Sequence, residues 1–193
     1  MEKGTAFCLY RDIAERTDGD VYIGVVGPVR TGKSTFIARF MEELVLPHMQ
    51  PGPKKDRLLD ELPQSGSGKT ITTTQPQFVP SEAAQVFLQE QTAVRVRMVD
   101  SVGYLVKGAL GSTEGESQRM VHTPWFDQDI PFEQAAEIGT RKVITDHSTV
   151  GVVVTTDGSV TEIPRADYEE AEERVIRELP FGGATVNDVV IHL

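Results

Sequence analysis

Val21-Tyr-Ile-Gly-Val-Val-Gly27-Pro-Val-Arg-Thr-Gly-Lys-Ser34-Thr-Phe36 is the stretch from which the rest of the chain is read. An apolar run, Val21 to Val26, breaks at Gly27 and leads into Gly27-Pro28-Val29-Arg30-Thr31-Gly32-Lys33-Ser34. That octet fits G-x-x-x-x-G-K-[ST], and an amphipathic segment follows from Thr35 to about Leu46. Strand, glycine loop and helix in this order are the setting a phosphate-binding loop requires. Gly27 and Gly32 let the backbone curl so that successive N–H groups point inward at phosphate oxygens. The helix beginning near Lys33 adds its positive dipole end. Lys33 is placed to put a cation on the β and γ phosphates, and the Ser34 hydroxyl to ligate Mg²⁺. Residues 27 to 35, through Thr35, form the expected nucleotide cradle.

Outward from this stretch, Phe7–Arg16 has apolar residues at helical spacing and reads as an N-terminal helix ended by Thr17-Asp18-Gly19. Residues 1–20 are expected to carry that helix and 21–193 a nucleotide-binding domain, with an atypical final stretch at 180–193. The first helix of the domain runs to about Leu46, where Pro47 stops it. His48–Pro80 is polar and rich in Pro, Gly, Ser and Thr, so it reads as one long functional loop. Gln85–Gln89 and Ala93–Val99 read as a hairpin ending at Asp100, and Gly103–Phe132 as a second loop anchored by His122-Thr-Pro-Trp-Phe126. Phe132–Asp146 is a helix, Val150–Thr155 a buried strand, and Arg165–Leu179 a helix with Ile176 and Leu179 on its apolar stripe and Tyr168, Ala171 and Val175 beside it. Val186–Leu193 reads as a final strand. Alternating strands and helices predict an α/β, three-layer P-loop NTPase fold with a mostly parallel sheet and one antiparallel hairpin.

The chain has 193 residues, a net charge of −10, and hydrophobic and charged fractions of 39% and 25%, which describe one globular domain. That negative charge argues against a nucleic-acid surface and against direct binding of anionic lipid. No apolar run nears 18 residues and Met1–Thr17 shows no leader pattern, so the expectation is a cytosolic protein without a transmembrane segment. The single cysteine, Cys8, excludes an internal disulfide. His48, His122, His147 and His192 lack metal-ligand spacing and read as surface or loop residues, and Trp125-Phe126 as a packing anchor.

A phosphate loop alone does not specify hydrolysis. Val94–Val99 followed by Asp100-Ser-Val-Gly103 gives a strand ending in D-x-x-G. Asp100 is there positioned to hold Mg²⁺ through water, and Gly103 to offer its backbone N–H to a γ-phosphate. Thr73 and Thr74, ahead of Thr70 and Thr72, are candidates to sense the γ-phosphate, Thr73 also as a metal ligand. Arg30 is a candidate to supply transition-state charge from within the loop; the competing reading is a solvated Arg or one paired with a neighbour. Two absences inform. Tyr104 and Leu105 stand where small GTPases place a water-orienting Gln, and N-K-x-D is missing. Thr155-Thr-Asp157-Gly ends a strand without the Lys, so guanine specificity is unsupported. Three readings stay open at this point: an ATPase whose cycle controls assembly, a GTPase-like switch signalling through loops 48–80 and 103–132, and a nucleotide-holding scaffold without turnover.

Asp12–Thr17, Gly24–Gly27, Val29–Phe36, Asp60–Ser65, Gly68–Thr70, His122–Trp125, Ala135–Lys142 and Thr155–Gly158 together resemble the stage IV sporulation protein A family. The resemblance runs from about Asp12 to Leu179; the tail GGATVNDVVIHL departs from it, and the family's middle and C-terminal regions are outside it. It implies a translation-factor-like P-loop NTPase that hydrolyses ATP with Mg²⁺ and polymerises into the basement layer of the spore coat. It places that layer in the mother-cell cytoplasm, peripheral at the outer forespore membrane. The partners it implies are other copies of the same chain, a small amphipathic membrane-anchoring peptide and coat proteins, with membrane targeting and much of self-assembly carried by the regions outside the match. It makes Lys33 the loop lysine, Asp100 the metal-linked aspartate, and Thr73 and Thr74 the sensor threonines.

Overall fold

A computed structural model describes residues 19–63, 75–87, 93–107, 109, 113, 117–159 and 163–177, and the backbone of 114, 178 and 189–192. The N-terminal helix read at Phe7–Arg16 lies outside the described residues. Strand β1 (Asp20–Val26) enters helix α1 (Lys33–Phe40), which continues through a π turn (Met41–Val45) into a 3₁₀ turn (Leu46–His48). Helix α2 (Pro53–Glu61) leads to the β2–β3 hairpin, Gln77–Phe87 and Ala93–Asp100. Short strands follow: β4 (Thr113–Glu114), β5 (Ser117–Gln118), β6 (Met120–Val121) and β7 (Ile130–Pro131). The chain then forms α3 (Phe132–Asp146), β8 (Val150–Thr155), α4 (Arg165–Glu178) and β9 (Val189–His192).

The main sheet has the order β2-β3-β1-β8-β9. β1 pairs parallel with β3 and β8, β8 pairs parallel with β9, and β2 alone runs antiparallel, against β3. Alternation along each central strand divides the core in two. Val25, Met98, Val152 and Val154 pack with Ile37, Met41, Val45 and Leu58 on the α1–α2 face. Val26, Val99 and Val153 pack with Val143, Tyr168, Ala171 and Val175 on the α3–α4 face. Strands buried on both faces read as continuous apolar runs, which is why Val150–Thr155 carries no polar alternation. Each fully buried Ile, Met or Val contributes roughly 1.5–3 kcal/mol.

The order of elements predicted from the sequence holds, with four corrections. His48–Pro80 is not one loop. Pro53 opens α2 at its first helical turn, where proline's missing N–H costs nothing, and α2 stays polar because Leu58 is its one buried residue. The first hairpin strand begins at Gln77, eight residues before Gln85, with a register shift between Val79 and Ala84. Pro47 lies inside the 3₁₀ turn instead of ending the helix before it. On α4 the buried stripe is Tyr168, Ala171 and Val175, while Ile176 is 49% exposed because the sheet lies on the Tyr168 side of the helix; Leu179 lies outside the described residues. α3 and β8 have the expected ends, and the Gly103–Phe132 loop holds the four short strands. Trp125 lies against α3, with Gly139 making room for its ring beside Pro76.

Candidate nucleotide site

Parallel pairing of β1 with β3 sets Val25 opposite Asp100, so the two strands deliver the glycine loop and the acidic residue to the same edge of the sheet. Ligands of open α/β sheets bind at such carboxyl ends. Gly27 turns the chain at φ 146°, and a side chain there would lie 2.2 Å from the Val154 carbonyl oxygen. Only glycine satisfies both conditions. The loop then alternates hand, with Arg30 at φ 63° and Gly32 at φ 89°. Such alternation turns backbone N–H groups toward one concavity, an anion nest. Left-handed backbone at a non-glycine residue is uncommon and costs on the order of 1–3 kcal/mol.

Lys33 opens α1 and is 5% exposed, and its Nζ donates to the Pro28 carbonyl at 2.7 Å. Thr31 Oγ1 donates to the same carbonyl at 3.0 Å. Burial pushes the Lys33 ammonium down to about 8, with Asp100 opposing that shift. Ser34 Oγ donates to Asp100 Oδ2 at 2.6 Å. Burial raises the Asp100 pKa above the usual carboxylate range, against the Ser34 hydrogen bond and the charge of Lys33. Asp100 Oδ1 is buried without a hydrogen-bond partner among the described residues. A hydroxyl and a carboxylate, one of its oxygens orphaned, form a hard oxygen pair of the kind Mg²⁺ takes while keeping waters and phosphate oxygens for its other positions. The residues present therefore fit a Mg²⁺–nucleoside triphosphate. Among the described residues no group of three His, Cys, Asp or Glu forms an alternative metal cluster.

The segment after Asp100 folds onto the loop. Gly103 (φ 94°) passes so close that a side chain would lie 2.3 Å from the Gly27 carbonyl oxygen and 2.7 Å from Lys33 Nζ. Its N–H, expected to meet a γ-phosphate, donates to Thr140 Oγ1 of α3 at 3.1 Å. Tyr104 is 2% exposed, its carbonyl accepts the Val29 N–H at 2.9 Å, and the Arg174 guanidinium lies 5.0 Å from its ring centroid. Arg174 in turn pairs with Glu137. The position where a small GTPase holds its Gln is thus a packing residue.

Gly27, Pro28, Val29, Arg30, Thr31, Gly32, Lys33, Ser34, Asp100 and Gly103 come together at this edge. Arg30 is partly exposed and makes no ion pair among the described residues; Thr35 is exposed on the first turn of α1. Thr73 and Thr74, with Thr70 and Thr72, lie outside the described residues. Thr140 was missed by sequence reasoning, since a threonine inside an amphipathic helix carries no signal of what its hydroxyl meets. No described helix is long and apolar enough to cross a membrane.

Residues 4–184 match the family model described as "Stage IV sporulation protein A, ATPase domain". The chain is 61% identical over 171 residues to stage IV sporulation protein A of Clostridioides difficile (strain 630), covering 89% of this chain and 35% of that protein. The corresponding identities are 58% for the protein of Bacillus subtilis (strain 168) and 57% for that of Bacillus anthracis, over the same 89% and 35%. The chain thus spans about a third of the length of these relatives, 35% in each case.

Proposed function

The chain belongs to the stage IV sporulation protein A ATPase-domain family, and we propose that it binds ATP with Mg²⁺ at the β1–α1 bend and hydrolyses it. The observation that carries this reading is the meeting of Ser34 Oγ and Asp100 Oδ2 at 2.6 Å beside the buried ammonium of Lys33. A scaffold that merely held nucleotide would not need a carboxylate buried at the cost of desolvating its charge.

Within this reading, Lys33 leaves the Pro28 carbonyl for the β and γ phosphate oxygens. The nest of N–H groups from Arg30 to Ser34 binds and orients the phosphate chain. Ser34 Oγ and Asp100 hold Mg²⁺, which when bound neutralises charge spread over the γ-phosphoryl oxygens. Gly103 turns its N–H from Thr140 to the γ-phosphate, Thr73 and Thr74 act as sensors, and Arg30 adds positive charge at the loop's crest. Water attacks in line, and Tyr104 leaves its positioning to a group other than a glutamine.

The same reading places the nucleotide cycle in the self-assembly of a spore-coat basement layer, in the mother-cell cytoplasm at the outer forespore membrane. Its partners there are further copies of the chain, a small amphipathic anchoring peptide and coat proteins. The family resemblance and the relatives' sporulation name support this placement. Nucleotide-dependent sedimentation run beside a phosphate-release assay tests chemistry and assembly together. Phosphate release that Lys33→Ala abolishes, and pelleting that requires ATP, are the expected results. Release unaffected by Lys33→Ala would overturn the reading.

A further inference from the structure

Two surfaces at opposite edges of the main sheet complement each other. At the β2 edge, α2 and β2 leave an open groove. Its floor is apolar, with Leu58 and Ala84 buried, and Met49 and Phe87 extend that lining. Phe87 is 45% exposed, so the groove shows a continuous apolar strip to solvent. Lys54 and Arg57 stand exposed on its α2 side. Arg57 pairs with Glu82, whereas Lys54 makes no ion pair among the described residues.

The opposite edge belongs to β9 and α4. α3 covers β1, where Val143 lies against Gly24, and Arg174 of α4 reaches α3 through Glu137. Ile176 comes two residues later, about 200° further around the helix, so it faces away from α3 and toward the β9 edge. Glu172 and Glu173 lie one turn back from Ile176, and Glu169 two turns back on the same flank. Glu172 and Glu173 pair with Arg165 and Arg177. Among the described residues Glu169 makes no ion pair, and Glu172 Oε1 is buried without a hydrogen-bond partner. This flank of α4 is thus an apolar knob set among carboxylates, the counterpart of an apolar groove edged by cations. β8 and β9 are parallel, so α4 runs back toward the start of β9 and brings Ile176 to that end of the sheet. The groove lies at the same end, beside the Ala93–Val96 half of β3 and away from Asp100.

We propose that α4 of one copy docks in the α2–β2 groove of the next, with Ile176 on the Leu58–Phe87 lining and Glu169 against Lys54. The inference rests on the reading of the chain as self-assembling, and it names the surfaces that meet. Charge selects this occupant. Two grooves face to face would set Lys54 and Arg57 against their own kind, and two α4 flanks would oppose carboxylates. The contact therefore joins unlike surfaces. A copy that receives an α4 still presents its own, so addition continues past two copies. The nucleotide corner at the other ends of β1 and β3 stays open throughout.

Sedimentation velocity of the chain with ATP and Mg²⁺, at rising concentration, tests the contact with two blocked variants. Ile176→Lys puts a cation where the knob enters a basic groove, and Phe87→Glu puts a carboxylate where carboxylates must dock. Both side chains are exposed and remote from the phosphate loop, so each variant should bind ATP as wild type does. Wild type is expected to grow past dimers. Each variant alone should stay monomeric there, its association weakened about tenfold or more. An equal mixture should form dimers and nothing larger, because the intact α4 of Phe87→Glu enters the intact groove of Ile176→Lys. A misfolded variant could not be rescued in this way. Either variant assembling like wild type, or a mixture that stays monomeric while wild type grows, overturns the proposal and leaves nucleotide-driven assembly standing. Wild type monomeric at every concentration overturns both the contact and the assembly it serves.

Discussion

Ser34 Oγ donates to Asp100 Oδ2 at 2.6 Å, joining the first turn of α1 to the end of β3. Two residues distant in sequence thereby form one oxygen-lined corner beside Lys33. The consequences of that corner are measurable.

Asp100→Asn removes the charge and keeps the shape. ATP affinity should rise on adding Mg²⁺ in wild type and stay level in the variant, with phosphate release lowered about a hundredfold or more. Because burial raises the folded pKa of Asp100, its charge costs stability at neutral pH. That cost is relieved as pH falls through the raised value, so wild type gains stability relative to Asp100→Asn on acidification. Denaturant titrations of both proteins across the acid range check the sign.

Lys33 carries its own pH dependence. Its ammonium titrates at about 8 in the nucleotide-free protein, and phosphate binding needs the charged form. ATP affinity should therefore hold below that value and fall above it, approaching tenfold per pH unit. Arg stays charged throughout this range, so Lys33→Arg, even if it binds more weakly, should show no such fall. Isothermal titration from pH 7 to 10 distinguishes the two profiles. A wild-type affinity flat across pH 8 would contradict the assignment.

Gly103→Ala meets two obstacles at once, a φ of 94° and backbone oxygen 2.3 Å from the new methyl. Destabilisation of about 2–4 kcal/mol is expected, read as a lowered midpoint in urea. An unchanged midpoint would show that the Asp100–Tyr104 segment does not lie on the phosphate loop.

Thr140→Val deprives the Gly103 N–H of its acceptor inside the protein, at a cost of about 1–3 kcal/mol. If that N–H turns to a γ-phosphate, ATP restores a partner. The thermal shift produced by Mg²⁺ and ATP should then be larger in Thr140→Val than in wild type, and Thr140→Ser should behave as wild type. Equal shifts in all three would separate Gly103 from the nucleotide.

Thr73→Ala and Thr74→Ala are expected to spare ATP binding and to slow phosphate release, which paired binding and turnover assays resolve. Loss of binding in either would assign these threonines to the cradle instead.

Much of this arrangement was legible in the sequence because backbone chemistry wrote it there. Gly27, Gly32, Lys33 and Ser34 have few alternatives at their positions, and the ends of α3 and β8 coincide with sharp changes of pattern. α2 was hidden because one buried residue, Leu58, gives no periodicity to detect. The start of β2 was hidden because an irregular edge strand containing Pro80 and flanking charges resembles a loop. Ile176 was misplaced because an apolar residue on an acidic helix marks the core only when the sheet lies on its side. Thr140 could not be singled out at all. What it does depends on which group of another segment its hydroxyl meets.

The most direct test of the central claim is a crystal structure of the chain with ATP and Mg²⁺. The account predicts the triphosphate in the Gly27–Ser34 loop, Lys33 Nζ moved from the Pro28 carbonyl onto phosphate oxygens, and the ion held by Ser34 Oγ. Nucleotide bound elsewhere, with Lys33 still on Pro28, would contradict it.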